Sequence, residues 1–114
     1  VVISTGPEAA KLREPLSQAP LIVDALFGTG LTRPVDDPQR AAIQLANESG
    51  AVRLAVDIPS GLDADTGDAL GVVFRADVTV TFVARKRGFD LGAGPTSCGK
   101  VVVAEIGVPT SWLA

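Results

Sequence analysis

At 114 residues the chain is one domain at most, and with 46% hydrophobic residues it can bury a single core. A formal net charge of -3 leaves no basic stripe for a nucleic-acid backbone and excludes nucleic acid as the main partner, although a few backbone N–H groups and one arginine suffice for a small phosphorylated ligand. With no histidine and one cysteine, Cys98, the chain can form no internal disulfide, no Cys/His zinc site and no histidine-activated nucleophile.

Residues 1–4 read as a short strand that opens the chain with no lead-in, the pattern expected where the N-terminal part of a domain is missing. Residues 8–19 read as a helix, weakened or ended near Pro15, and residues 21–26 as the next strand. Asp37 then offers an N-cap and Pro38 the first helical position. Ala42, Ile43, Leu45 and Ala46 make the apolar face of that helix, and Gly50 falls where a left-handed C-terminal cap belongs. Val52–Val56 is a strand apolar on both sides apart from Arg53. Residues 78–83 and 100–105, rich in valine and threonine, complete the set.

Twelve glycines and eight prolines imply tight turns between these short elements, and scarce aromatics leave Val, Leu, Ile and Ala to build the core. No apolar run reaches a membrane span and no signal-peptide pattern is present, so a cytoplasmic protein is expected. Cys98 reads as a bystander, and Trp112 is expected to pack the C-terminus down.

Strand–helix–strand order with near-continuous apolar strands predicts an α/β fold with a mostly parallel sheet and helices on both faces. In such sheets ligands lie beyond the carboxyl ends of the strands. Asp24, in "LIVDALFGTGLTRP", and Asp57, in "LAVDIPSGLDADTG", both fall at that edge.

The loop after Asp24 has two readings. Gly28-Thr29-Gly30 with Arg33 close behind can cradle an anion on free N–H groups, or can be a plain turn from strand to helix; the third glycine of a dinucleotide fingerprint is absent. Asp24 itself is either a loop brace accepting backbone N–H bonds or an oxygen ligand for a hard cation. In the second loop no GxSxG elbow surrounds Ser60, so it is no nucleophile. "DADTG" lacks EF-hand spacing and reads as a solvated turn whose aspartates satisfy their own backbone. Asp57 is a candidate general acid/base. Arg85, Lys86 and Arg87 read as a solvated basic loop, with at most one member reaching the crevice.

Taken in order, "VDALFGTGLTRP", a helix, "AVDIPSGLDADTGDALG", "ADVTVTF", the Lys-x-Gly pair Lys86 and Gly88, and "GKVVVAEIGVP" resemble the YjeF N-terminal domain family, the NAD(P)H-hydrate epimerases, over residues 21–109. The resemblance implies a Rossmann-like three-layer α/β/α fold and interconversion of the R and S forms of hydrated NADH or NADPH, which carry a hydroxyl at C6 of the nicotinamide ring. It assigns substrate binding to Gly28, Thr29, Gly30, Leu31, Thr32, Arg33, Pro34 and Asp57, acid/base catalysis to Asp57, and a potassium ion to Asp24 and Ser60.

The family's Asn-Asn-Gly-Gly-Asp-Gly segment, another part of its substrate and potassium sites, is absent. Residues 1–114 are therefore expected to be the C-terminal portion of one such domain, inactive alone. Exposed strand edges would favour a homodimer, and the parent chain could carry a fused dehydratase domain. The competing expectation is a non-catalytic binding or scaffold module on the same fold, which need not keep Asp24, the Gly-Thr-Gly loop, Asp57 and Ser60.

Overall fold

The computed structural model describes residues 2–3, 9–28, 31–107 and 111. Five strands form one sheet: β1 Val2–Ile3, β2 Leu21–Asp24, β3 Val52–Val56, β4 Val78–Phe82 and β5 Lys100–Ala104. All neighbours pair in parallel, and spatial order equals chain order. The helices are α1 Arg13–Gln18, α2 Gln39–Glu48 and α3 Gly94–Cys98, with 3-10 turns at Ala9–Leu12 and Arg87–Asp90. This is the α/β, Rossmann-like arrangement expected from the strand pattern. Trp112 and the outer residues of the first predicted strand lie outside the described residues.

Each β-crossover-β step advances in the same direction across the sheet. Right-handed crossovers that all advance one way must land on one face, and the described helices do. Ile22 and Ala55 from that face pack with Leu16 of α1, Ile43 and Ala46 of α2 and Phe74 of the following loop. Each large side chain so sealed contributes about 1.5–3 kcal/mol. A second cluster joins Ile58, Leu62, Phe89 and Cys98 under α3. The opposite face, with Val23, Leu54 and Val80 half-buried and Val52 55% exposed, carries none of the described helices. Among the described residues, then, the helices that cover the sheet lie on one face.

Local details also differ. Pro15 does not end its helix: α1 starts at Arg13, which puts Pro15 in the first turn, where a missing N–H costs little. Helix α2 begins one residue later than predicted, with Pro38 rather than Asp37 at the N-cap and no side-chain cap. Its other end is closed by Ser49, whose backbone N–H and hydroxyl both donate to the Ala46 carbonyl, at 3.1 and 2.8 Å. Gly50 is not in the left-handed region, because the serine has already satisfied the helix end. No helix among the described residues is long and apolar enough to cross a membrane.

Candidate functional site

Asp24 is the last residue of β2 and Asp57 the first residue after β3, so both stand at the carboxyl edge of neighbouring strands. Asp24 is 0% exposed. Its Oδ1 accepts hydrogen bonds from the Ser60 hydroxyl at 2.6 Å and the Leu26 N–H at 3.2 Å, and its Oδ2 accepts the Ser60 N–H at 2.7 Å. Burial pushes this carboxyl above its ordinary value, and the Ser60 and Leu26 donors offset part of that rise. The Ser60 hydroxyl also accepts the Phe27 N–H at 3.1 Å, so Asp24 and Ser60 together fasten the 26–28 loop to the 57–60 loop. The bracing role is therefore present in full. Ser60 is buried and occupied on both sides of its oxygen, in keeping with its exclusion as a nucleophile.

Asp57 stands differently. Its φ of 69° is left-handed, a conformation costing a non-glycine residue about 1–2 kcal/mol. The Ile58 N–H reaches back to the Val56 carbonyl at 2.9 Å, so Asp57 is the centre of a three-residue γ-turn. Its own N–H bonds the Val80 carbonyl at 2.7 Å, which ties the turn to β4. The turn swings the carboxylate over the end of β4. There Oδ1 accepts the Thr81 hydroxyl at 3.1 Å and the Phe82 N–H at 3.2 Å, and the Lys86 ammonium lies 3.3 Å away. Oδ2 faces the other loop: a Cβ placed on Gly28 would come within 4.0 Å of it. With 22% of its side chain exposed, Asp57 is reachable from outside.

The basic segment is corrected in part. Arg85 is exposed and paired with Asp90 at 2.7 Å, as a solvated loop would be. Lys86 instead folds back to the crevice, its ammonium donating to the Phe82 and Ala84 carbonyls at 3.0 and 3.1 Å. A second γ-turn makes this possible. Val83 has φ 69°, and the Ala84 N–H bonds the Phe82 carbonyl at 2.8 Å. Sequence reasoning missed this because a β-branched residue argues against left-handed backbone. It also passed over Thr81, although threonines two apart in "VTVTF" share one sheet face, and Thr79 and Thr81 are both fully buried there.

A pocket of about 510 Å³ is lined by Leu31 and Thr32, by Asp63, Ala64 and Asp65, and by Arg85, Lys86 and Arg87; Asp57 stands behind this lining, paired with Lys86. Arg33 and Pro34 line a smaller adjacent recess of about 120 Å³ with Phe27 and Leu31. Thr29 and Gly30 lie outside the described residues. The acidic turn is self-satisfied: Asp63 Oδ1 accepts the Asp65 and Thr66 N–H groups at 2.8 and 2.9 Å, which holds its carboxyl below the ordinary range. This turn is keyed to the basic segment at Gly88, where a Cβ would collide with the Asp63 and Ala64 carbonyls and where the N–H bonds Ala64 at 2.6 Å.

A groove of about 570 Å³ beside α2 is larger but carries no comparable chemistry. Its Asn47 amide is engaged with the Val73 carbonyl and the Arg75 N–H. Among the described residues no group of three or more His, Cys, Asp or Glu could hold a metal ion. Burial pushes the Cys98 thiol up to about 11, so it stays protonated, as a bystander would.

Curated proteins similar to this chain include the following three. The chain is 49% identical over 89 residues to the bifunctional NAD(P)H-hydrate repair enzyme Nnr of Salinibacter ruber, covering 78% of this chain and 16% of that one. It is 43% identical over 90 residues to an NAD(P)H-hydrate epimerase of Limosilactobacillus fermentum, covering 79% and 43%. It is 40% identical over 111 residues to an NAD(P)H-hydrate epimerase of Pirellula staleyi, covering 97% and 49%. The chain thus spans less than half the length of each of these curated relatives. Residues 1–88 match the family described as YjeF-related protein N-terminus, and with the parallel sheet and its two edge aspartates in place, the chain belongs to that family.

Proposed function

We propose that the protein from which this chain comes is an NAD(P)H-hydrate epimerase, that residues 1–114 form the C-terminal portion of its epimerase domain, and that Asp57 is its acid/base. One observation carries this reading: among the described residues Asp57 Oδ1 is met by Thr81, Phe82 and Lys86, while Oδ2 faces Gly28 across the crevice. The names of the relatives supply the substrate class.

Epimerisation at C6 breaks the carbon–oxygen bond, and the electron pair leaves with the oxygen. A proton held on Asp57 Oδ2 passes to that oxygen, which departs as water, while the ring nitrogen's lone pair stabilises the cation left behind. Water then adds to the opposite face and returns its proton to Oδ2. One carboxyl group therefore serves both directions. Gly28 leaves Oδ2 uncapped, and Leu31, Thr32, Arg33 and Pro34 border the space where the rest of the substrate would lie. Thr29 and Gly30 belong to the same proposed binding loop.

Potassium at Asp24 and Ser60 is part of the proposal. Among the described residues Asp24 Oδ2 accepts a single hydrogen bond and keeps capacity for another partner, and a cation would offset the cost of burying this charge. A bound cation would supply positive charge close to the substrate's phosphates. A potassium-dependent rise in melting temperature, absent with sodium, is the expected sign. A reducing, cytoplasmic setting suits the lone buried thiol of Cys98. A second, dehydratase activity in the parent is proposed from the bifunctional relatives, and a homodimer from the sheet edges at β1 and β5.

The reading is tested on the full parent chain with purified S and R hydrates of NADH and NADPH, with and without potassium. Acceleration of R–S exchange above the spontaneous rate is expected; no acceleration for either cofactor would overturn it.

A further inference from the structure

The Lys86 ammonium donates to the Phe82 carbonyl at 3.0 Å and the Ala84 carbonyl at 3.1 Å, and it forms an ion pair with Asp57 Oδ1 at 3.3 Å. The charge it carries is thus turned toward Asp57. The carbonyls that hold it flank Val83, whose left-handed backbone bends the chain straight after β4. A strained valine turn thus supports a half-buried ammonium, and that ammonium meets one selected oxygen of the carboxylate beside it.

The two oxygens of Asp57 are consequently unequal. Oδ1 faces Thr81, Phe82 and Lys86, all from one strand and its turn, whereas Oδ2 faces Gly28 across the crevice. We propose that Lys86 is a positioning residue: anchored on the Val83 turn, it closes the Oδ1 side of Asp57 and fixes the carboxylate plane so that Oδ2 alone meets the substrate. The proposal rests on the epimerase reading and goes beyond it by giving the second basic residue of the 85–87 cluster a task at Asp57 rather than at a phosphate. Misplacing a reacting group by about 1 Å can cost on the order of a hundredfold in rate, so the orientation of one carboxylate is worth holding.

The test uses the full parent chain with Lys86→Met, which keeps the length of the stem and removes the donors, and Lys86→Arg, which keeps the charge. For Lys86→Met we expect kcat to fall about tenfold to a hundredfold, with KM within about twofold because the ammonium is engaged by Phe82, Ala84 and Asp57. Lys86→Arg should recover part of the loss. An unchanged kcat, or a raised KM with kcat intact, would overturn the proposal, the latter by making Lys86 a direct substrate contact. A crystal structure of Lys86→Met, or of Lys86→Arg should the first variant fail to fold, gives a readout independent of turnover. The Asp57 carboxylate should rotate away from Thr81 and Phe82 in the methionine variant and stay in place in the arginine variant. An Asp57 unmoved in the methionine variant, or displaced in the arginine variant, overturns the proposal even if the wild-type parent proves not to be an epimerase. An inactive wild type with the carboxylate moving as stated sinks only the functional reading.

Discussion

Asp24 and Asp57 are the same residue type at the same edge of adjacent parallel strands, yet they live by opposite rules. Asp24 ends its strand in ordinary extended backbone, is sealed, and is held by three donors spread over both oxygens. Asp57 sits one residue past its strand in a strained turn, with all its named donors crowded onto one oxygen. The first arrangement joins two loops into a frame. The second spends conformational energy to display a single oxygen atom, and such strain is found where a side chain must be aimed. A carboxylate at a strand end is thus a brace or a reagent according to how many of its oxygens the fold consumes.

The largest separation between the two should come from Asp57→Asn in the parent chain. Asparagine tolerates the left-handed backbone and still accepts bonds through its amide oxygen, so the melting temperature should barely move, while epimerisation falls by about a hundredfold or more. Undiminished turnover in that variant would erase the distinction. Asp24→Ala should do the reverse to the frame. It orphans the Ser60 N–H, the Ser60 hydroxyl and the Leu26 N–H, and at about 1–3 kcal/mol for a buried unsatisfied donor a total loss of at least ~3 kcal/mol is expected in denaturant unfolding.

The third prediction concerns pH. Burial raises the folded-state value of Asp24 above its unfolded value, so the folded form binds the proton more tightly. The stability linked to this proton is full below the unfolded value and is lost as pH rises through the raised folded one. Relative to Asp24→Asn, which has no such proton, the wild type should gain in melting temperature as pH is lowered from neutral toward 4, as followed by scanning fluorimetry. The smallest effect belongs to Arg85→Ala. The Arg85–Asp90 pair is exposed and solvent-screened, so the stability measured by denaturant unfolding should stay within error.

Much of the frame was legible because it follows from patterning. The strands β2 to β5 coincide with apolar, β-branched runs, and the position of both aspartates at one edge follows from parallel pairing alone. The one-sided placement of the described helices was not read, although it follows from chain order once strand order is known, because strand order itself is not written in local sequence. The helix ends were missed where two residues competed for one job, as Ser49 did with Gly50. That one member of the 85–87 cluster could reach the crevice was read, but that it is Lys86, held at Asp57, was not, for a deeper reason. Its position depends on Val83 adopting a backbone that valine disfavours, and only tertiary contacts can impose that.

The collision that any side chain at Gly88 would cause with the Asp63 and Ala64 carbonyls has a further consequence. Two walls of the crevice, one acidic and one basic, are interlocked at that glycine like parts of a single casting, so neither can swing away without the other. A ligand entering here would meet these two walls as one piece, with its fit to both set together.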